Sequence, residues 1–140
     1  MIVNDDDGLR KILGETRNIA VVGCSRDPAK AAHQVPKYLK KHGYRIIPVN
    51  PYADEILGEK VYRSLSEIDQ PVDLVEVFRP SHEVLEVVKE AIILKPKVVW
   101  MQLGIENEKA AELAELNGIK VVMDRCMRVE HKRLIGKHKL

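Results

Sequence analysis

The stretch NIAVVGCSRDPAKAAHQVPKYLKKHGYRIIPVNP, residues 18–51, decides how the rest of the chain is read. An apolar run ends in Gly23, and a polar loop and a helical pattern follow. Gly43 stops that helix, and a second apolar run ends in Asn50 and Pro51. Glycine takes the left-handed conformation that closes a helix without steric cost. Short runs rich in valine and isoleucine between such punctuation read as strands. Strand, helix, strand in this order needs a crossover connection, so the two strands are parallel neighbours. Pro48 removes one ladder donor, which places it at the end of its strand.

The alternation continues along the chain. EKVYRSLSEI (59–68) gives a short strand and a turn of helix, with Ser64 or Ser66 as the cap. PVDLVEVFRP (71–80) is a strand. SHEVLEVVKEAIILK (81–95) is a helix with Val84, Leu85, Val87, Val88, Ala91 and Ile92 on one apolar face. PKVVWMQLG (96–104), ENEKAAELAELNG (106–118) and IKVVMD (119–124) add strand, helix and strand. A short helix is predicted ahead of residue 18, and a closing helix from Arg128. Strands this apolar are covered by helices on both faces. The chain is therefore predicted to be α/β: a three-layer Rossmann-like fold with a mainly parallel sheet of about five main strands. Its 140 residues suffice for one domain, residues 1–140.

Hydrophobic residues make up 45% of the chain and charged ones 31%, a globular mixture. A net charge of +2 is too small to make nucleic acid the main partner. The tail RVEHKRLIGKHKL reads as a solvated helix face or a disordered end. The acidic N-terminal segment has no apolar core of a signal peptide, and every apolar run is shorter than a bilayer requires, so no membrane partner is expected. Cys24 and Cys126 lack a CxxC partner, so no metal site is expected, and two free thiols fit the cytoplasm.

Open parallel sheets bind ligands beyond the carboxyl ends of their strands. That edge comprises residues 23–30, 49–52, 78–81, 101–105 and 124–127. The loop after Gly23 lacks the further glycines of a GxGxxG turn. Arg26 and Lys30, with the hydroxyl and amide of Ser25, make it a broader phosphate cradle. The second strand ends in Asn50, without the carboxylate that accepts from the ribose hydroxyls of a nicotinamide dinucleotide. A neutral amide there suits a ribose bearing an extra phosphate, which disfavours an NAD(P)-binding redox protein.

The segments VVGCSRDPAKAAHQVPKYLKKHGYRIIPVNP, GEKVYRSLSEI, VDLVEVFRPSHEV, VWMQLGIENEKAAELAELNGIKVVMDRC and MRVEHKRL resemble the single-domain coenzyme A-binding proteins. These are relatives of the CoA-binding N-terminal domain of the succinyl-CoA synthetase alpha chain and of the nucleoside-diphosphate-forming acyl-CoA synthetases. The resemblance covers residues 15–135, and GCSR, PVNP, VFRPS and DRC followed by EH are its most specific pieces. It implies that Gly23, Cys24, Ser25, Arg26 and Asp27 line the phosphate end, with Lys30 beside them. Val49, Asn50, Pro51 and Tyr52 then face the adenosine. Phe78, Arg79 and Pro80 flank the middle, with Arg79 a phosphate partner, and Met101, Gln102 and Leu103 meet the pantetheine or adenine. Cys126 follows the last strand beside Arg125 and Arg128 and matches a cysteine position of the family, so it is expected to approach the pantetheine thiol and to be able to form a mixed disulfide with CoA.

The synthetases carry further domains, one bearing a phosphorylated histidine, that the resemblance does not extend to here. Among His33, His42, His82, His131 and His138, His42 and His82 read as surface residues, and His131 as a pocket-rim or a structural residue. No catalytic triad or carboxylate pair can be nominated from spacing. Glu76, in an otherwise apolar strand, reads as a partner-satisfied or edge-facing residue, and Cys24 as a half-buried spacer. The resulting expectation is a module that binds CoA or acyl-CoA and is non-catalytic alone. The alternative is the CoA-binding subunit of a multi-component acyl-CoA ligase. Partners are the CoA small molecule and either separate ligase domains or a second copy of the chain.

Overall fold

The computed structural model describes residues 2–136. In chain order the elements are α1 (Asp6–Glu15), β1 (Asn18–Val22), α2 (Ala31–Lys41), β2 (Arg45–Val49), β3 (Glu55–Ile56), β4 (Glu59–Lys60), β5 (Leu74–Val77), α3 (Val84–Ala91), β6 (Val98–Met101), α4 (Glu108–Leu116), β7 (Lys120–Val122) and α5 (Met127–Leu134). Single turns of 3-10 helix occupy Leu65–Glu67, Ser81–Glu83 and Ile92–Leu94.

The main sheet has five strands in the order β2-β1-β5-β6-β7, and every neighbouring pair is parallel. Strand order reverses between β1 and β5, and such a reversal opens a crevice at the carboxyl edge. Leu9, Leu13, Val35, Leu39, Met127 and Leu134, from α1, α2 and α5, pack with Val21, Leu74 and Trp100 on one face. Val84, Val88, Ala110 and Ala114, from α3 and α4, pack with Ala20, Val75 and Val99 on the other. The fold is thus the three-layer Rossmann-like α/β arrangement. Burying both faces is what made the strands read as unbroken apolar runs.

Helix ends follow side-chain chemistry. Asp5 accepts from the Gly8 amide to open α1, and Asn107 accepts from the Ala110 amide to open α4. Lys120 and the residues before it start β7 at the bottom of the sheet, where the Asp73 carboxylate accepts from the amides of Arg17 and Asn18. On the α1 side, Arg133 bridges Asp6 and Glu130, so α5 is tied to α1.

Four local expectations differ from the structure. Pro48 lies within β2 rather than at its end; β2 is an edge strand, which tolerates a missing donor, and the Pro48 carbonyl accepts from Tyr62. Residues 59–60 pair back on residues 55–56 as a small antiparallel hairpin. Ser64 precedes the turn at Leu65–Glu67, but its hydroxyl meets Ser66 instead of capping an amide. The helix predicted over 81–95 divides into a 3-10 turn, α3 and a second 3-10 turn.

Candidate functional site

A cleft of about 590 Å³ lies at the carboxyl edge over the strand reversal. Ten of the seventeen expected residues line it: Gly23, Cys24, Ser25, Lys30, Val49, Asn50, Pro51, Tyr52, Phe78 and Arg79. Arg26 and Asp27 lie exposed on the same loop, and Pro80 leads the Ser81–Glu83 turn. Its walls also include residues that strand ends did not indicate, among them Arg63, Ser64, Glu83, Val87 and Glu90.

The floor depends on Gly23. Its φ is +83°, and a Cβ placed there would stand 2.6 Å from the Phe78 carbonyl oxygen and 3.1 Å from Arg79 Cδ. Only glycine lets the ends of β1 and β5 approach this closely.

The loop beyond it is held by a device that begins in α2. Pro36 has no N–H to give to the carbonyl four residues back. The Ala32 carbonyl is therefore left for the loop, and the Ser25 amide donates to it at 3.1 Å. His33 Nδ1 donates to the Ser25 carbonyl at 2.7 Å, and the Asp27 amide donates to Ser25 Oγ. Ser25 is thus a hub of loop geometry. The N-terminus of α2 has no capping side chain and no acidic residue in its first turn. Its amides and dipole favour an anion at this point of the cleft.

Asn50, expected on the adenosine side, lines the cleft and is also held by the protein. Its Nδ2 donates to the Cys24 carbonyl at 2.9 Å, and its Oδ1 accepts from the amides of Tyr52 and Ala53. The side chain stitches the β2 edge to the β1 edge. Tyr52 beside it is 82% exposed and presents an aromatic face on the rim.

The charges in the cleft are largely matched. Arg79 makes a forked ion pair with Glu83, at 3.0, 2.9 and 3.1 Å. Arg63 pairs with Asp54 and donates to the Ala53 carbonyl, and Glu90 accepts from the Leu65 amide. Lys30 has no ion pair among the described residues.

The rest of the predicted set is placed elsewhere. Met101 is fully buried in the core formed with α3 and α4. Gln102 is 5% exposed, and its Oε1 accepts from the Met127 amide, so it caps α5. Leu103 is exposed away from the cleft lining. Cys126 is half-buried at the start of α5 and also outside that lining. His131 is buried and hydrogen-bonded through Nδ1 to the Tyr38 hydroxyl, linking α5 to α2, and His42 stacks on Tyr38. His82 is exposed, and His138 lies outside the described residues.

Two buried groups beneath the cleft correct the sequence reading. Glu76 is neither at an edge nor satisfied: it is wholly buried in central β5, and neither carboxylate oxygen has a hydrogen-bond partner. Its register neighbours are Val21 and Trp100, on the face covered by α1, α2 and α5. Burial pushes its acid up to about 8. Cys24 is fully rather than half buried, and burial together with the Glu76 charge pushes its thiol up to about 12. It is therefore a protonated thiol at neutral pH, without the nucleophilic character of a thiolate. Among the described residues no three His, Cys, Asp or Glu side chains are grouped to hold a metal ion, and no helix is long and apolar enough to cross a membrane.

Comparison with known proteins gives the family and repeats the fold. The family model described as a CoA binding domain matches residues 17–132. The chain is 43% identical to the uncharacterised protein YneT of Bacillus subtilis (strain 168), over 88% of this chain and 91% of that one. It is 32% identical to the alpha subunit of ADP-forming acetate–CoA ligase II of Pyrococcus furiosus, over 79% of this chain but only 27% of the subunit. Among solved structures, a Thermus thermophilus protein superposes with a TM-score of 0.90 at 42% identity, covering 94% of this chain and 100% of that one. A hypothetical protein from Pyrococcus horikoshii OT3 superposes with a TM-score of 0.92 at 40% identity, covering 95% and 94%. On the match over residues 17–132, this chain belongs to the CoA-binding domain family.

Proposed function

We propose that the chain is a single-domain cytoplasmic protein that binds coenzyme A or an acyl-CoA in the carboxyl-edge cleft and is non-catalytic alone. The observation that carries this reading is the uncapped N-terminus of α2 with Lys30 beside it, opening on the cleft of a CoA-binding-family chain. A phosphorylated ligand meets free amides and a cation there. Ser25, Arg26, Asp27 and Lys30 surround its phosphates. The exposed ring of Tyr52 offers the base a stacking surface. Arg79, Phe78 and Pro80 border the middle, while Met101, Gln102 and Leu103 stand outside the cleft lining and support it only through the end of β6. The acceptor of Asn50 is already engaged by two amides, and no carboxylate replaces it on the β2 side for a nicotinamide ribose. Cys126 is the thiol that would exchange with CoA disulfide, releasing one CoA thiol and leaving a mixed disulfide; intact mass of wild type and Cys126→Ser reads this directly.

Calorimetric titration with CoA, acetyl-CoA and NAD tests the reading. Saturable binding of the first two and none of NAD is the expected result; NAD binding alone would refute it.

A second reading has its own support. The chain matches only 18–27% of the length of two ADP-forming acetate–CoA ligase relatives. It would then serve as the CoA-binding subunit of a multi-component acyl-CoA ligase, joined by separately encoded domains or by a second copy of itself. Co-purification with such a chain distinguishes it from a free-standing binder.

A further inference from the structure

The ion pair between Arg79 and Glu83 lies inside the cleft, where both residues form part of the wall. Two features fix it there. The stem of Arg79 passes close over Gly23, with Cδ 3.1 Å from where a Cβ would stand, which sets the guanidinium beside the strand reversal. Glu83 ends a turn pinned to the start of α4: Ser81 Oγ accepts from the Glu106 amide, and the Ser81 carbonyl accepts from Asn107 Nδ2. The carboxylate thus stands where an anionic ligand would meet the arginine fork. Both oxygens are used: Oε1 takes Nε and Nη2, and Oε2 takes Nη2 as well.

We propose that Glu83 is an internal competitor for Arg79, a specificity-determining residue that a ligand phosphate must displace. This deepens the CoA-binding reading and rests on it for the natural ligand. A phosphate monoester carries close to two negative charges at neutral pH, a carboxylate one. The more highly charged group wins the planar fork, which matches phosphate as well as it matches carboxylate. Singly charged ligands do not win it. With Arg63 and Arg79 both neutralised in the free cleft, Lys30 makes the first contact and Arg79 is recruited second. Glu83 therefore sets a threshold of ligand charge rather than adding attraction.

Glu83→Gln keeps the shape and removes the competing charge. CoA should bind this variant roughly three- to tenfold more tightly than wild type, the scale of a half-exposed ion pair plus one repulsion. Arg79→Ala should weaken CoA binding, and Glu83→Gln should gain less on the Arg79→Ala background than on wild type, since only the carboxylate's repulsion is left there to remove. A second probe separates this inference from the identity of the ligand. Inorganic pyrophosphate, titrated while the Arg79 Nε–H NMR signal is followed, should move that signal at lower concentration in Glu83→Gln than in wild type. If wild type ignores CoA but pyrophosphate behaves so, the competitor stands and the CoA reading falls. An equal or weaker pyrophosphate response in Glu83→Gln overturns the competitor, whatever CoA does.

Discussion

The two ends of the sheet are built to opposite ends. At the amino edge a smaller cavity, about 260 Å³, is lined by residues such as Thr16, Asp73, Lys97 and Lys120. Its polar groups are spent on the fold: the Asp73 carboxylate takes the amides of Arg17 and Asn18, and its carbonyl takes that of Lys97. The helices that end there, α1 and α4, bring their C-terminal, partially negative ends. At the carboxyl edge the situation reverses. The N-terminus of α2 is uncapped, Glu76 is buried without a partner, and Gly23 takes a conformation that other residues resist. One end is closed by its own hydrogen bonds, and the other keeps uncapped helix amides, a glycine at positive φ and an unpartnered buried carboxyl group.

The largest effect that sharpens this contrast belongs to Glu76. Its acid is raised from 4.5 to about 8 in the folded state, so the fold holds a proton that the unfolded chain has lost. The contribution of Glu76 to stability should therefore be full below about pH 4.5 and decline as pH rises from about 4.5 to 8, by roughly 4–5 kcal/mol. Glu76→Gln should flatten that part of the profile. Chemical denaturation of both proteins at pH 5, 6.5 and 8 reads the difference, and parallel profiles would show Glu76 to be solvated.

Gly23→Ala comes next. The added methyl would collide with the Phe78 carbonyl at a positive φ, and a loss of about 3 kcal/mol is expected in denaturation. CoA binding should fall with it, since the same approach forms the cleft floor.

Asp73→Ala breaks the amino edge instead. Losing two charge-assisted bonds to amides should cost about 2 kcal/mol of stability and leave CoA affinity unchanged. An affinity loss would deny that the two edges are independent.

The smallest effect is on binding alone. Lys30→Ala should weaken CoA about tenfold, near 1.4 kcal/mol, and leave thermal stability within about 0.5 kcal/mol of wild type.

Much of this architecture was readable from residues 18–51 onward. The Gly43 stop, the apolar strands and the Asn117-Gly118 ending are local signals, and each was realised. The strand order places ten of the expected residues around one cleft because all follow strands of a parallel sheet. What strand ends could not give is how side chains are spent. Asn50 and Gln102 look like ligand contacts, but tertiary neighbours use them as a loop stitch and a helix cap. Arg63, Ser64 and Glu90 reach the cleft through the hairpin and 3-10 turn between β2 and β5, and from α3, far from any strand end. Glu83 had a signal in the sequence, since FRPSHE spaces an arginine and a glutamate four apart. The isolation of Glu76 had none, for a buried and a paired carboxylate share the same letter.

The most direct measurement is a titration of the isotope-labelled protein with coenzyme A, followed through its backbone amide NMR signals. The account predicts saturable shifts at Gly23, Ser25, Lys30, Ala32, Tyr52 and Arg79, and none at Thr16, Lys97 or Lys120. Shifts confined to the second group, or no shifts at millimolar coenzyme A, would contradict it.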